Sequence, residues 1–177
     1  MINDYEATRP IAETGTKTTL SNDAVISTLN GLIETCKDGM EGFKTAAEGV
    51  VRSDLKTLFG EFSQERARFF GELQSLVSEL GGDPEASGSF AGAVHRGWMD
   101  LKATLTGKDD AAILNECERG EDSAKNAYKE ALQTALPSNV VEVLQNQYAS
   151  IQSTHDRVKA LRDAANADKS STASTGR

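Results

Sequence analysis

The chain is poor in the residues that staple, kink or stiffen a fold. Of its 177 residues two are cysteine, three proline and one tryptophan, and aromatics make up 6%. Cys36 and Cys117 cannot build a disulfide framework, and a reducing compartment fits them best. Few aromatics and only short β-branched runs disfavour a sheet. No stretch approaches the roughly 18 consecutive apolar residues that a membrane-spanning helix requires. Basic residues are outnumbered: 19 Lys and Arg against 27 Asp and Glu leave a net charge of −8. That balance argues against nucleic acid or an anionic membrane surface as a partner. The first residues show no basic segment leading into an apolar one, so no secretory signal is expected and a cytoplasmic location is. No CxxC, phosphate loop, GxGxxG fingerprint or nucleophile–base motif is present.

What remains is helical periodicity. The prolines at 10, 84 and 137 leave long uninterrupted stretches between them. The first predicted helix starts at the capping run Ser21-Asn22-Asp23 and reaches about Val51, with Leu29, Leu32, Ile33, Cys36, Met40, Phe43, Ala47 and Val50 on one face. The second follows Ser53 or Asp54 and ends near Leu80, where Gly81-Gly82-Asp83-Pro84 stops it. Its stripe is Leu55, Leu58, Phe59, Phe62, Phe69, Leu73, Leu76 and Leu80. A third runs from Asp109 to about Ala135 through Ile113, Cys117, Ala124, Ala127, Tyr128 and Ala131. Leu136-Pro137-Ser138 breaks it, and a fourth continues to about Ala165 through Val140, Leu144, Tyr148, Ile151, Val158 and Leu161. Residues 1–20 are expected to form a flexible arm and residues 166–177 a disordered tail.

Four helices of about 27–30 residues, each roughly 40–45 Å long, suit an all-α bundle. Short connections make the first two helices one antiparallel hairpin and the last two another. The connection over 81–108 is long enough to return the chain along the bundle. It carries its own short helix, with Phe90, Val94, Trp98, Leu101 and Leu105 at helical spacing, and His95, Arg96 and Asp100 there read as a local hydrogen-bonded cap. The bundle proper is expected to span 21–165.

In such a bundle, functional groups sit on inward faces. Counting about 100° per residue from Phe62 and Phe69, Glu65 lies about 60° to one side of the inward direction and Arg66 about 40° to the other. Glu121 lies about 60° from the Cys117–Ala124 line, and His155 about 40° from Ile151. Antiparallel register brings Glu118 to the level of His155, Glu121 to that of Gln152, and Glu65 to that of Glu41. Glu41, Glu65, Glu118, Glu121 and His155 are therefore the candidate metal ligands, and carboxylates with an imidazole in one layer suit iron or manganese. Against this, Glu41 points away from the stripe, Glu65 with Arg66 reads as a boundary charge pair, and a lone histidine on an apolar face is often a satisfied core residue.

Three stretches carry a resemblance: Leu32-Ile33-Glu34-Thr35-Cys36-Lys37-Asp38-Gly39, His95-Arg96-Gly97-Trp98-Met99-Asp100-Leu101-Lys102 and Glu116-Cys117-Glu118-Arg119-Gly120-Glu121-Asp122. They resemble signature stretches of a bacterial family of ferritin-like four-helix bundles of unknown function, over roughly residues 22–165. The resemblance implies a ferritin-like fold and a non-secreted bacterial protein, and brings no established activity. The wider superfamily takes one Glu from each of two helices and Glu-x-x-His from each of the other two. Here the fourth helix has Gln152-x-x-His155 and the second Glu65-x-x-Arg68, so only half of one motif survives. The damaged ligand set favours a non-enzymatic, stress-associated or partner-binding module, with a homodimer or a protein partner expected. The alternative is a metal-binding protein with an oxidase or iron-handling role.

Overall fold

A computed structural model describes residues 20–84, 86, 101 and 109–175. Four helices account for nearly all of them: α1 (Asn22–Gly49), α2 (Ser53–Glu79), α3 (Asp110–Leu132) and α4 (Ser138–Thr175). Among the described residues there is no strand, and no helix is long and apolar enough to cross a membrane.

Local chemistry sets the helix ends. The Ser21 side chain accepts the Ala24 N–H at 3.3 Å and starts α1. α2 closes on a left-handed turn. Gly81 has φ +77°, its N–H donates to Ser78, and the Gly82 N–H donates to Val77. This paired return is the glycine-dependent C-terminal motif that a Gly-Gly sequence favours. Gly82 is needed for a second reason, since a Cβ there would lie 2.8 Å from Ile26. Asp109 caps α3 through the Ala111 N–H, at 3.0 Å. The neighbouring Asp110 accepts the N–H groups of Val51 and Arg52, at 2.7 and 3.2 Å, which ties the α1–α2 turn to the start of α3.

α3 stops at Leu132, three residues before the expected end. The N–H groups of Gln133 and Thr134 turn back to Glu130 and Ala131, while the Ala135 carbonyl accepts from Leu20. The tail expected to be disordered from 166 is helical through Thr175. From Ser138 to Thr175 the sequence contains neither proline nor glycine, and alanines at 164, 165 and 167 favour continuation. Lys169 on this extension pairs with Asp109 at the start of α3. Of the arm expected over 1–20, only Leu20 lies within the described residues. Most of the 81–108 return and its predicted short helix also fall outside them, with Phe90, Val94, His95, Arg96, Trp98, Asp100 and Leu105. Leu101 is helical and buried.

Side-chain pairings give the topology. Ser63 on α2 donates to the Met40 carbonyl on α1, and Tyr128 on α3 to Gln147 on α4. Cys36 on α1 meets Tyr128, while the α1–α2 turn meets Asp110, so α1 and α3 run antiparallel. Two antiparallel hairpins thus stand side by side, with α2 and α3 parallel and on the diagonal. Leu29, Leu32, Phe43, Phe59, Phe69, Leu73, Ile113, Leu114, Leu144, Ile151 and Val158 fill the space between the helices. Apolar burial of this kind contributes roughly 25 cal/mol per Å².

Candidate functional site

Mid-bundle, the polar layer expected from the sequence separates into two groups. The inner one centres on Arg66. Its side chain is 1% exposed, and Nη2 donates to Glu121 Oε2 at 2.7 Å. Nη1 faces Glu65 Oε2 at 3.6 Å. The guanidinium lies 5.5 Å from the Phe69 ring and 5.9 Å from that of Phe43, where ring quadrupoles favour a cation. Its aliphatic stem lies along Gly39, where an added Cβ would come within 3.4 Å of Cγ and Cδ. α1 thus leaves the room that the arginine occupies.

Glu121 is fully buried, and burial raises its carboxyl above the usual value against the pull of Arg66. Its Oε1 makes no hydrogen bond, nor do Arg66 Nε and Nη1. Glu65 is turned toward α4, accepting from Ser150 and, at 3.4 Å, from Thr154. Beside this layer runs a second polar chain, buried except at Glu72. Gln147 donates to Glu72 at 2.8 Å and accepts from the Tyr128 hydroxyl at 2.8 Å, and Cys36 Sγ lies 3.2 Å from Tyr128 Oη. The Tyr128 hydroxyl gives its one hydrogen to Gln147, so the Cys36 thiol is the donor in that last contact. Burial pushes the Cys36 thiol up to about 11 and the Cys117 thiol well above its ordinary value. Both cysteines are free.

The outer group lies at the seam of α3 and α4. His155 is 6% exposed. Its Nε2 stands 3.0 Å from Asp122 Oδ1 and its Nδ1 3.0 Å from Asp156 Oδ1. Lys125 Nζ lies 3.3 Å from each ring nitrogen. Glu118, nearly buried, holds Arg162 and lies beside Asp122 and His155.

The structure thus brings Glu65 and Glu121 together around Arg66, and Glu118 together with His155. Glu41 and Gln152 are exposed and join neither group. Arg68, at the position where the superfamily motif has histidine, is also on the surface, paired with Glu72 at 3.2 Å and stacked over Phe69. From the sequence Arg66 reads as a boundary charge and Asp122 is not singled out, whereas the structure buries the first and places the second against His155. For Arg66 the signal was present: it lies nearer the Phe62–Phe69 direction than Glu65 does, and a glycine faces it on α1.

A resident two-metal centre does not fit these donors. Of the two Glu121 oxygens, one is already spent on a guanidinium that cannot deprotonate. A second cation on that carboxylate would meet the fixed positive charge at short range. The repulsion is on the order of 5 kcal/mol at protein-like dielectric. His155 directs both ring nitrogens toward Asp122, Asp156 and Lys125.

Bundle topology, helix lengths and the polar mid-layer define a ferritin-like four-helix bundle. In structure the chain is similar to a dodecameric thioferritin, a bacterioferritin-related protein from Bacteroides fragilis. The TM-score is 0.68 at 18% identity, over 86% of this chain and 92% of that one. It is also similar to a two-domain protein from Anabaena variabilis that contains DJ-1/ThiJ/PfpI-like and ferritin-like domains. There the TM-score is 0.68 at 14% identity, over 86% of this chain and 45% of that chain. More particularly, the chain belongs to the family described as a domain of unknown function, DUF2383, whose model matches residues 24–134. No curated protein matches it in sequence.

Proposed function

We propose that this protein is a non-enzymatic ferritin-like module that acts by association, with further copies of itself or with another protein. In this reading the interior layer is a closed part of the core and does not turn over substrate. One observation carries it: a guanidinium, and not an open pair of carboxylates, stands between Glu65 and Glu121 at the centre of the bundle. A di-metal oxidase needs that space for its ions. The dodecameric state of the B. fragilis thioferritin supports self-association as the mode of action.

Two measurements on the full chain test the proposal. Under ferrous iron and oxygen, iron oxidation is expected to match the protein-free rate. Light scattering on the eluting protein is expected to give a multiple of 18.9 kDa. Catalytic iron oxidation would overturn the non-enzymatic part. A strict monomer at tens of micromolar that captures no protein from its native cell would overturn the association part.

A further inference from the structure

On the association reading above, we propose that the outer face of α2 is the surface by which two copies of this chain pair, antiparallel, about a two-fold axis. Thr57, Gly60, Gln64, Ala67, Gly71 and Gln74 follow one another at steps of three and four, so they share one face of the helix. All six are exposed or half-exposed, turned away from the buried Leu55, Phe59, Phe69, Leu73 and Val77. None is charged, although 26% of the chain is. Ser53 and Ser78 extend the face by a turn at each end, again without charge. The solvated faces of the second hairpin differ: α3 presents Arg119, Asp122, Lys129 and Glu130, and α4 Asp156 and Arg157.

Two glycines say how closely this face is approached. Only proline suits a helix interior less well than glycine. Gly39 and Gly82 have their reasons inside the chain, in Arg66 and Ile26. Gly60 and Gly71 do not, since a Cβ on either would meet no atom within 4 Å. Eleven residues apart, they lie within about 20° of each other around the helix. Bare positions along one line of a helix let a second helix come close, because interaxial distance is set by the side chains at the contact.

The helix that fits is α2 itself. The steps read the same from either end, so a two-fold axis at the level between Glu65 and Arg66 maps the face onto itself. Gly60 then meets Gly71 of the second copy, Gln64 meets Ala67, and Ser53 meets Ser78. The flanking charges match as well. Glu61 and Arg68 are exposed on the same side of the face, the side of Glu65 and α4. The axis sets Glu61 within about 3 Å in height of Arg68 of the second copy, and the reverse pair forms by symmetry. Among the described residues Glu61 has no cationic partner of its own. Both charges border an open recess of about 480 Å³ that leaves room for the facing side chains. A parallel pairing in register would set like charges against each other. Exposed ion pairs add little affinity, so these two fix orientation while the close backbone contact holds the pair.

Sedimentation equilibrium of the full chain tests this, and an even multiple of 18.9 kDa is expected. Gly71→Gln adds bulk without charge and improves helix propensity, so circular dichroism should show an intact fold while the pair weakens about ten-fold or more. Glu61→Arg and Arg68→Glu each create two like-charge contacts by symmetry, and each should weaken the pair about ten-fold. The double variant should recover most of that loss. Lys129→Glu, on the outer face of α3, should change nothing. Wild-type affinity in Gly71→Gln, no recovery in the double variant, or an equal loss in Lys129→Glu would overturn this surface and leave the association reading standing. A monomer that pairs only with another protein would do the same, whereas a monomer that captures none would overturn both.

Discussion

Arg66 and Glu121 decide how the bundle interior behaves. Each is buried almost completely, and neither has water to fall back on. Truncating one partner leaves an uncompensated charge, so Arg66→Ala is expected to cost about 3–5 kcal/mol in urea unfolding. Replacing both, as Arg66→Met with Glu121→Leu, should cost far less or stabilise, because apolar packing replaces two desolvated ions. Glu121 adds a pH signature. Its folded pKa is raised by burial above its ordinary value of 4.5. The stability this contributes is complete below the unfolded pKa and is lost as pH rises through the folded one. Glu121→Gln holds the neutral form at every pH. Relative to wild type, the variant should therefore gain stability steadily as pH climbs out of the acid range, with the two parallel below it. Denaturation midpoints measured across that range check this.

The helices were legible in the sequence because their apolar positions recur at steps of three and four and their ends carry local signals. Ser21, Asp109, Gly81-Gly82 and Pro137 all act where their chemistry suggested. The tail was misread because its serines and threonines look like linker, whereas a helix already seeded by a packed stretch needs only the absence of breakers to continue. The site was half legible. Helical angles placed Glu121 and His155 on buried faces, yet angles of 40–60° off the stripe leave open which way a long side chain reaches. That is why Arg66 read as boundary charge and the His155 partners stayed hidden. Two outcomes follow at this scale. Gly81→Ala forces a side chain into φ +77° and should cost about 1 kcal/mol, read from thermal or urea unfolding. Deleting residues 166–177 should lower the helical ellipticity by the share that the segment 166–175 supplies. A disordered tail would leave the total signal unchanged.

For the molecule as a whole, both thiols sit in the core and are reachable only when the bundle opens. Burial keeps the Cys36 thiol protonated, at about 11. Native protein at neutral pH should therefore label with a thiol reagent at a rate set by global unfolding, and both cysteines should react together once denaturant passes the midpoint. Labelling of one cysteine well before the other would show that the hairpins separate independently. The central guanidinium has a wider consequence. A positive charge tethered by covalent bonds cannot be chelated, outcompeted by another element or lost when a nutrient is scarce. The core should thus hold the same shape in a metal-starved cell as in a replete one.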